Sequence, residues 1–184
     1  MSGSAAGLRK GIIPLFVGVL LGFIGGYFAG GGGRPGTAGT PAAGAGEQDR
    51  AQEIRSALEK DPENPKLLAA LGNALYDRED WDGAIKAYEK ARRKAAADPN
   101  LLSDLGAAYR NRGEFKRAVA LFEKARAADP DHWESLLNLV LINAFDTRDS
   151  VAARRHFTEL KRRYPEIPNL DRIEKQISTL PGAA

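Results

Sequence analysis

Residues 66–94 read KLLAALGNALYDREDWDGAIKAYEKARRK, and residues 100–128 read NLLSDLGAAYRNRGEFKRAVALFEKARAA. Sliding the first onto the second by 34 residues sets Leu68, Leu71, Gly72 and Leu75 on Leu102, Leu105, Gly106 and Tyr109. The same shift sets Trp81, Ala84, Tyr88 and Ala91 on Phe115, Ala118, Phe122 and Ala125. Leu68, Leu71 and Leu75 are spaced i, i+3, i+7, the stripe of an amphipathic helix. Gly72 and Gly106 fall inside such helices, where glycine costs about 1 kcal/mol relative to alanine. Close approach of a partner helix accounts for them. Ala84, Ala91, Ala118 and Ala125 supply the same smallness on a second helix, and Trp81 and Phe115 fill the space after the turn. Gly113 suits the left-handed conformation that ends a helix. Asn64-Pro65 and Asp98-Pro99 each place a capping residue before proline at the first helical position. The repeated unit is a helical hairpin.

A third copy starts near Asp131. Leu136 and Leu139 keep the register, but Val140 stands in place of the glycine and Asn143 in place of Tyr109. One added residue, expected in the turn Asp146–Ser150, brings Ala153, Phe157, Leu160 and Pro165 into line. Both ends carry covers. Residues 47–60 present Ala51, Ile54, Ala57 and Leu58 on one face. Asn169–Leu180 is predicted to begin with an Asn cap and presents Leu170, Ile173, Ile177 and Leu180. Stacked units need such end helices, because otherwise an apolar face meets water.

A period of 34 with a helical hairpin as its unit resembles the tetratricopeptide repeat. The resemblance covers about residues 48–180 and implies an all-α fold, a right-handed solenoid of about three hairpins. The units fall at 65–98, 99–132 and a degenerate 133–166, between end helices at 47–60 and 168–180. Ala96 stands where the family has proline, so the second helix of the first unit is predicted to run on to about Ala97.

The amino-terminal quarter is of another kind. Fifteen of the twenty glycines lie in the first 46 residues, and no acidic residue does. Residues 11–33 carry no charge and include Ile12, Ile13, Leu15, Phe16, Val17, Val19, Leu20, Leu21, Phe23 and Ile24. About 20 apolar residues cross a bilayer as a helix, and residues 11–30 are read as that span. A secretory signal would share the basic start at Arg9-Lys10, but its apolar core runs to about 7–15 residues before a small-x-small step. Here the run is longer, and the first usable steps lie among residues 36–45. Positive flanks stay on the cytoplasmic side. Residues 1–10 are therefore expected inside and the repeats outside, in the periplasm of a two-membrane cell; Ala-, Arg- and Gly-rich usage suggests a bacterial source. Gly18, Gly22, Gly26 and Gly30 recur every four residues, a strip that lets two membrane helices approach closely and self-associate. Residues 31–46 contain seven Gly, four Ala and two Pro and read as a disordered linker. A flexible coil of that length spans roughly 20–25 Å.

Charge and chemistry exclude much. All 24 acidic residues lie between Glu47 and Glu174, and removing Arg9, Lys10 and Arg34 leaves 24 basic residues against them. The repeat region is neutral, which argues against nucleic acid. There is no cysteine, and His132 and His156 have no nucleophile or metal partner at useful spacing, so each reads as a partly exposed polar residue. No enzyme, metal or cofactor is expected.

What remains is binding. In the family the concave surface is lined by first helices, at positions two, five, nine and twelve of each unit. The resemblance thus implies a groove of Lys66, Ala69, Asn73 and Tyr76, then Asn100, Ser103, Ala107 and Arg110, then Glu134, Leu137, Leu141 and Ala144. The family's carboxylate clamp, which holds acidic chaperone tails, is matched at Asn73 alone. Ala69, Asp104, Glu134 and Asn138 stand where lysine, asparagine, lysine and arginine are expected, so the clamp is missing. Three roles compete: a membrane-tethered scaffold holding a peptide or helix in an envelope assembly; an apocytochrome-binding subunit, since the layout is similar to anchored tetratricopeptide subunits of cytochrome c maturation; and an import-receptor-like protein of an organelle, with its domain in the cytosol. The flanking charge opposes the last.

Overall fold

The structure, a computed structural model, describes residues 43–182. They form eight α-helices and no strand. In order these are α1 (Ala43–Lys60), α2 (Pro65–Tyr76), α3 (Trp81–Arg92), α4 (Pro99–Asn111), α5 (Phe115–Ala128), α6 (Trp133–Leu141), α7 (Ser150–Arg163) and α8 (Leu170–Ser178). Each helix packs on its neighbours in the chain, and α4 also touches the first helix of the unit on either side, α2 and α6. This is the all-α, stacked-hairpin architecture that the repeat predicts.

Local sequence sets the helix starts. Asn64 Oδ1 accepts from the N–H groups of Lys66 and Leu67, and Asp98 does the same for Asn100 and Leu101. Proline occupies the first helical position in both cases, where its missing N–H costs nothing. Asp80 and Asp149 cap α3 and α7 through Gly83 and Ala152. The glycines sit where the hairpins close. A Cβ at Gly72 would lie 2.3 Å from the Tyr88 ring, and one at Gly106 would lie 2.7 Å from the ring of Phe122. Ala84, Ala91, Ala118 and Ala125 are fully buried beside them. The close approach inferred from the glycines is therefore that of an aromatic ring on the second helix.

Four expectations need correction. First, α3 stops at Arg92 and does not run to Ala97. The N–H groups of Lys94 and Ala95 both turn back to the Ala91 carbonyl, which ends the helix and frees Asp98 to cap α4. Second, the extra residue of the third unit is not in the turn after Asp146. The left-handed turn residues are Glu79, Gly113 and Arg148, spaced 34 and then 35 apart, so the insertion lies before Arg148. A π-helical turn over Ile142–Asp146 holds it, with the Thr147 N–H bonded to the Ile142 carbonyl five residues back. One extra residue inside a helix takes this form. Its loosened carbonyls are met by side chains: Asn143 Nδ2 donates to Leu139 O and Thr147 Oγ1 to Ile142 O. Third, Asn169 precedes α8 but its side chain caps nothing. It adopts a left-handed φ of 66°, which asparagine tolerates better than most residues. Fourth, α1 begins at Ala43, inside the stretch read as linker; Pro41 is the last helix breaker before it, and alanine permits the helix to extend back.

Among the described residues no helix is long and apolar enough to cross a membrane. The span read at 11–30, its glycines Gly18, Gly22, Gly26 and Gly30, and the linker up to residue 42 lie outside the described residues.

Candidate functional site

The twelve predicted lining residues all lie on the first helices of the units or in the turn that continues α6, and their exposure changes along the array. In the first unit Lys66 and Asn73 are exposed, and Ala69 and Tyr76 are partly so. In the second Asn100 is exposed and Ala107 partly exposed, while Ser103 and Arg110 are buried. In the third Glu134 is partly exposed, and Leu137, Leu141 and Ala144 are buried. Polar surface thus concentrates on the first two units.

Side chains tie the first helices to one another. Asn111 Nδ2 donates to the Tyr76 hydroxyl at 2.7 Å, joining α4 to α2. Asn138 Nδ2 reaches Ser103 Oγ at 3.4 Å, and His132 Nε2 lies 3.2 Å from Asn100 Oδ1, joining α6 to α4. Arg110 Nε donates to Asp146 Oδ2 at 2.5 Å, with the arginine side chain 5% exposed. That guanidinium is spent within the fold and is not offered to a ligand. Within the first hairpin the Tyr88 hydroxyl donates to Asn73 Oδ1 at 2.7 Å. Asn73 therefore has a fixed orientation on the exposed side of the helix. Tyr76 packs edge-on to Trp81, ring centroids 4.9 Å apart, which holds its ring in place.

Burial shifts the acids on this face. The Tyr88 and Tyr76 hydroxyls are pushed above the usual phenol range, mainly by loss of water. Asp104, on α4, has its carboxyl raised to about 7. Desolvation is the largest cause, followed by the negative charges of Asp98, Asp77 and Glu134.

Sequence reasoning noticed Asp104 and Asn138 only as departures from a clamp, and it missed Asn111 and Asp146. Spacing offered one signal: Tyr76 to Asn111 and Ser103 to Asn138 are each one period plus one residue apart. Both histidines are buried, against expectation. His132 accepts from the Ser135 N–H and caps α6, while His156 lies under Arg155 and Arg126. Among the described residues no group of three or more His, Asp or Glu is placed to hold a metal ion.

A stack of helical hairpins with a polar face on its first helices defines a helical-repeat protein. Two family models, both tetratricopeptide repeat, match residues 38–99 and 75–140. Together these matches span residues 38–140, and the chain carries tetratricopeptide repeats. No curated protein matches the chain. Among solved structures, the tetratricopeptide domain of Arabidopsis OM64 is 19% identical with a TM-score of 0.58, over 61% of this chain and 93% of that one. A tetratricopeptide repeat protein from Parabacteroides merdae is 17% identical with a TM-score of 0.64, over 72% of this chain and 52% of that one. The TPR2B domain of yeast Sti1, in complex with pHsp70, is 20% identical with a TM-score of 0.54, over 71% of this chain and 97% of that one. These likenesses establish the fold.

Proposed function

We propose that this protein is a membrane-tethered interaction scaffold whose first-helix face holds a peptide or helix of a partner protein. One observation carries the reading. The exposed polar groups of the first two units, led by Asn73, are oriented by bonds to their neighbours, on a face stiffened by links between successive first helices. Preorganised donors lose little freedom when a ligand arrives. That the Sti1 domain was captured with pHsp70 supports binding by this fold, though the acidic-tail clamp is absent here.

The anchor rests on the uncharged run at 11–33 and its basic flank, and it puts the domain on the outer side of a bacterial inner membrane. The glycine strip adds pairing of anchors, which would present two faces at once and raise avidity for a repeated partner. A reporter active only in the periplasm, fused after Ala184, is expected to be active; activity of a cytoplasm-only reporter there reverses the topology and favours the import-receptor role.

For the face itself, a photo-crosslinking residue is placed in native membranes at Lys66 or Asn73, and separately at Lys124 on α5. Adducts are expected from the first two positions. Adducts from Lys124 alone move the binding surface to the second helices.

A further inference from the structure

We infer that a recess at the edge of the first unit binds a phosphate group, carried by a small molecule or by a lipid headgroup. Its walls come from two places where units join: Pro62 and Glu63, in the loop before α2, and Lys90, Arg93 and Lys94, at the end of α3. Leu68 of α2 is the buried apolar residue among them. The space is about 170 Å³. Pockets for whole small molecules run to about 300–1,000 Å³, so this one suits an end group.

Three cations meet one carboxylate here. Lys94 Nζ lies 2.8 Å from Glu63 Oε2, and the charge of Arg93 reaches the same carboxyl. The side chains of Lys90 and Arg93 make no hydrogen bond and no ion pair among the described residues. Arg92 is not part of the set, because its guanidinium is held by Glu89. The surplus of two positive charges matches a phosphate monoester, which carries about −1.5 to −2 at pH 7 and three acceptor oxygens. A single carboxylate would leave a cation over. An arginine fork pairs with two phosphate oxygens at once, and a lysine serves the third as a point charge.

These charges answer no demand of the fold. Lysine and arginine near a helix end often hydrogen-bond its last carbonyls. Here the carbonyls of Lys90 and Ala91 are met by the backbone N–H groups of Arg93, Lys94 and Ala95. The second unit, 34 residues on, is an internal control. Leu68 and Lys90 recur there as Leu102 and Lys124, but Pro62, Glu63, Arg93 and Lys94 give way to Ala96, Ala97, Ala127 and Ala128. A hairpin of the same fold forms with alanine at all four places, so of the two complete units the first alone gathers this charge. A broad anionic surface suits the edge less, because Asp61 and Asp98 are exposed on the same loops. A single phosphate needs only the recess.

The test follows trace acetylation of lysines by mass spectrometry on the full-length chain, at fixed pH and ionic strength. In neutral detergent, inorganic phosphate and glycerol 3-phosphate are titrated, with acetate as the control anion. Lys90 is expected to be half protected at about 1 mM phosphate, with acetate needing at least about tenfold more. Lys116, exposed on α5, should be unchanged. Arg93→Ala is expected to weaken protection about tenfold. Glu63→Gln, which releases Lys94, is expected to tighten it about threefold, a gain that misfolding cannot produce. In a second arm the chain is inserted in phosphatidylcholine vesicles with or without phosphatidic acid. Protection by the soluble phosphates identifies a soluble ligand. Protection in phosphatidic acid vesicles alone identifies a headgroup, a source that rests on the membrane anchor; the detergent arm stands apart from that reading and from the first-helix face. Equal protection by acetate, or of Lys116, reduces the effect to charge screening and overturns the site, as does no protection in either arm. Protection by a phosphoserine peptide alone would give the recess to a phosphorylated protein and overturn the small ligand.

Discussion

The Tyr88 ring occupies the space that a side chain at Gly72 would need, its Cε1 2.3 Å from where a Cβ would stand. Tyr88 is 2% exposed and its hydroxyl is tied to Asn73, so the ring has nowhere to move. Gly72→Ala is therefore expected to destabilise by about 2 kcal/mol, overpacking outweighing the roughly 1 kcal/mol of helix propensity gained. Gly106→Ala, with 2.7 Å to Phe122, should cost less. Urea unfolding of both variants and of Gly72→Ala with Tyr88→Leu measures this; a double mutant no more stable than Gly72→Ala alone would deny the contact its role.

The turn between helices of a hairpin needs one left-handed residue, and the two complete units fill it differently. Gly113 sits at φ 81° and Glu79 at φ 59°. For a residue with a Cβ this conformation costs roughly 1–2 kcal/mol. Glu79→Gly is expected to stabilise the protein by about 0.5–1 kcal/mol, less than the strain relieved because glycine also gains freedom in the unfolded chain. Gly113→Ala should lose about 1 kcal/mol through backbone strain alone, since nothing lies within 4 Å of the added Cβ. Melting temperatures moving the opposite way for this pair would contradict the assignment.

How far the sequence could be read is clear from these positions. Gly72, Gly106, Gly113, Asn64 and Asp98 each answer a local demand, and a period of 34 makes such demands visible twice. The π turn was not visible. The alignment shows that one residue is inserted, yet helix or loop can absorb it, and the choice depends on Asn143 and Thr147 meeting the loosened carbonyls. The site was the least legible part. The family pattern locates the first-helix face, but whether Arg110 greets a ligand or Asp146 depends on how the third unit turns. The burial of Leu137 and Leu141 likewise follows tertiary placement, which no periodicity encodes.

Arg110 and Asp146 form the most buried ion pair between units, with side chains 5% and 20% exposed. Removing one partner strands the other. Arg110→Ala is expected to destabilise by about 2–4 kcal/mol, whereas replacing both with Met and Leu should cost far less. The result matters for function, because loss of partner capture in Arg110→Ala would reflect a loosened third unit and not a lost contact. Chemical denaturation of the two single variants and the double variant yields the coupling energy, and a value near zero would remove the pair as a link between units.

His156 is expected to make the domain acid-sensitive. Its ring is 6% exposed, and Arg155 Nη2 lies 3.3 Å from Nε2. A guanidinium only donates, so Nε2 accepts and the neutral ring carries its proton on Nδ1, a buried atom with no partner. Burial first, then the charges of Arg155 and Arg126, hold its pKa below the ordinary 6.5. The unfolded chain thus binds the proton more readily, and the stability from this residue is present above about pH 6.5 and lost as pH falls below it, by up to about 1.4 kcal/mol per pH unit. Asp104 acts in the opposite sense. Its folded pKa near 7 exceeds its ordinary 3.8, so its contribution falls as pH rises between those values. The two are separated in an Asp104→Asn background. There, melting temperature should decline from pH 7 to pH 5, and His156→Leu should flatten that decline without loss of stability at pH 8, because it removes an unsatisfied buried donor. An equal decline with and without His156 would remove this ring as the source of the acid sensitivity.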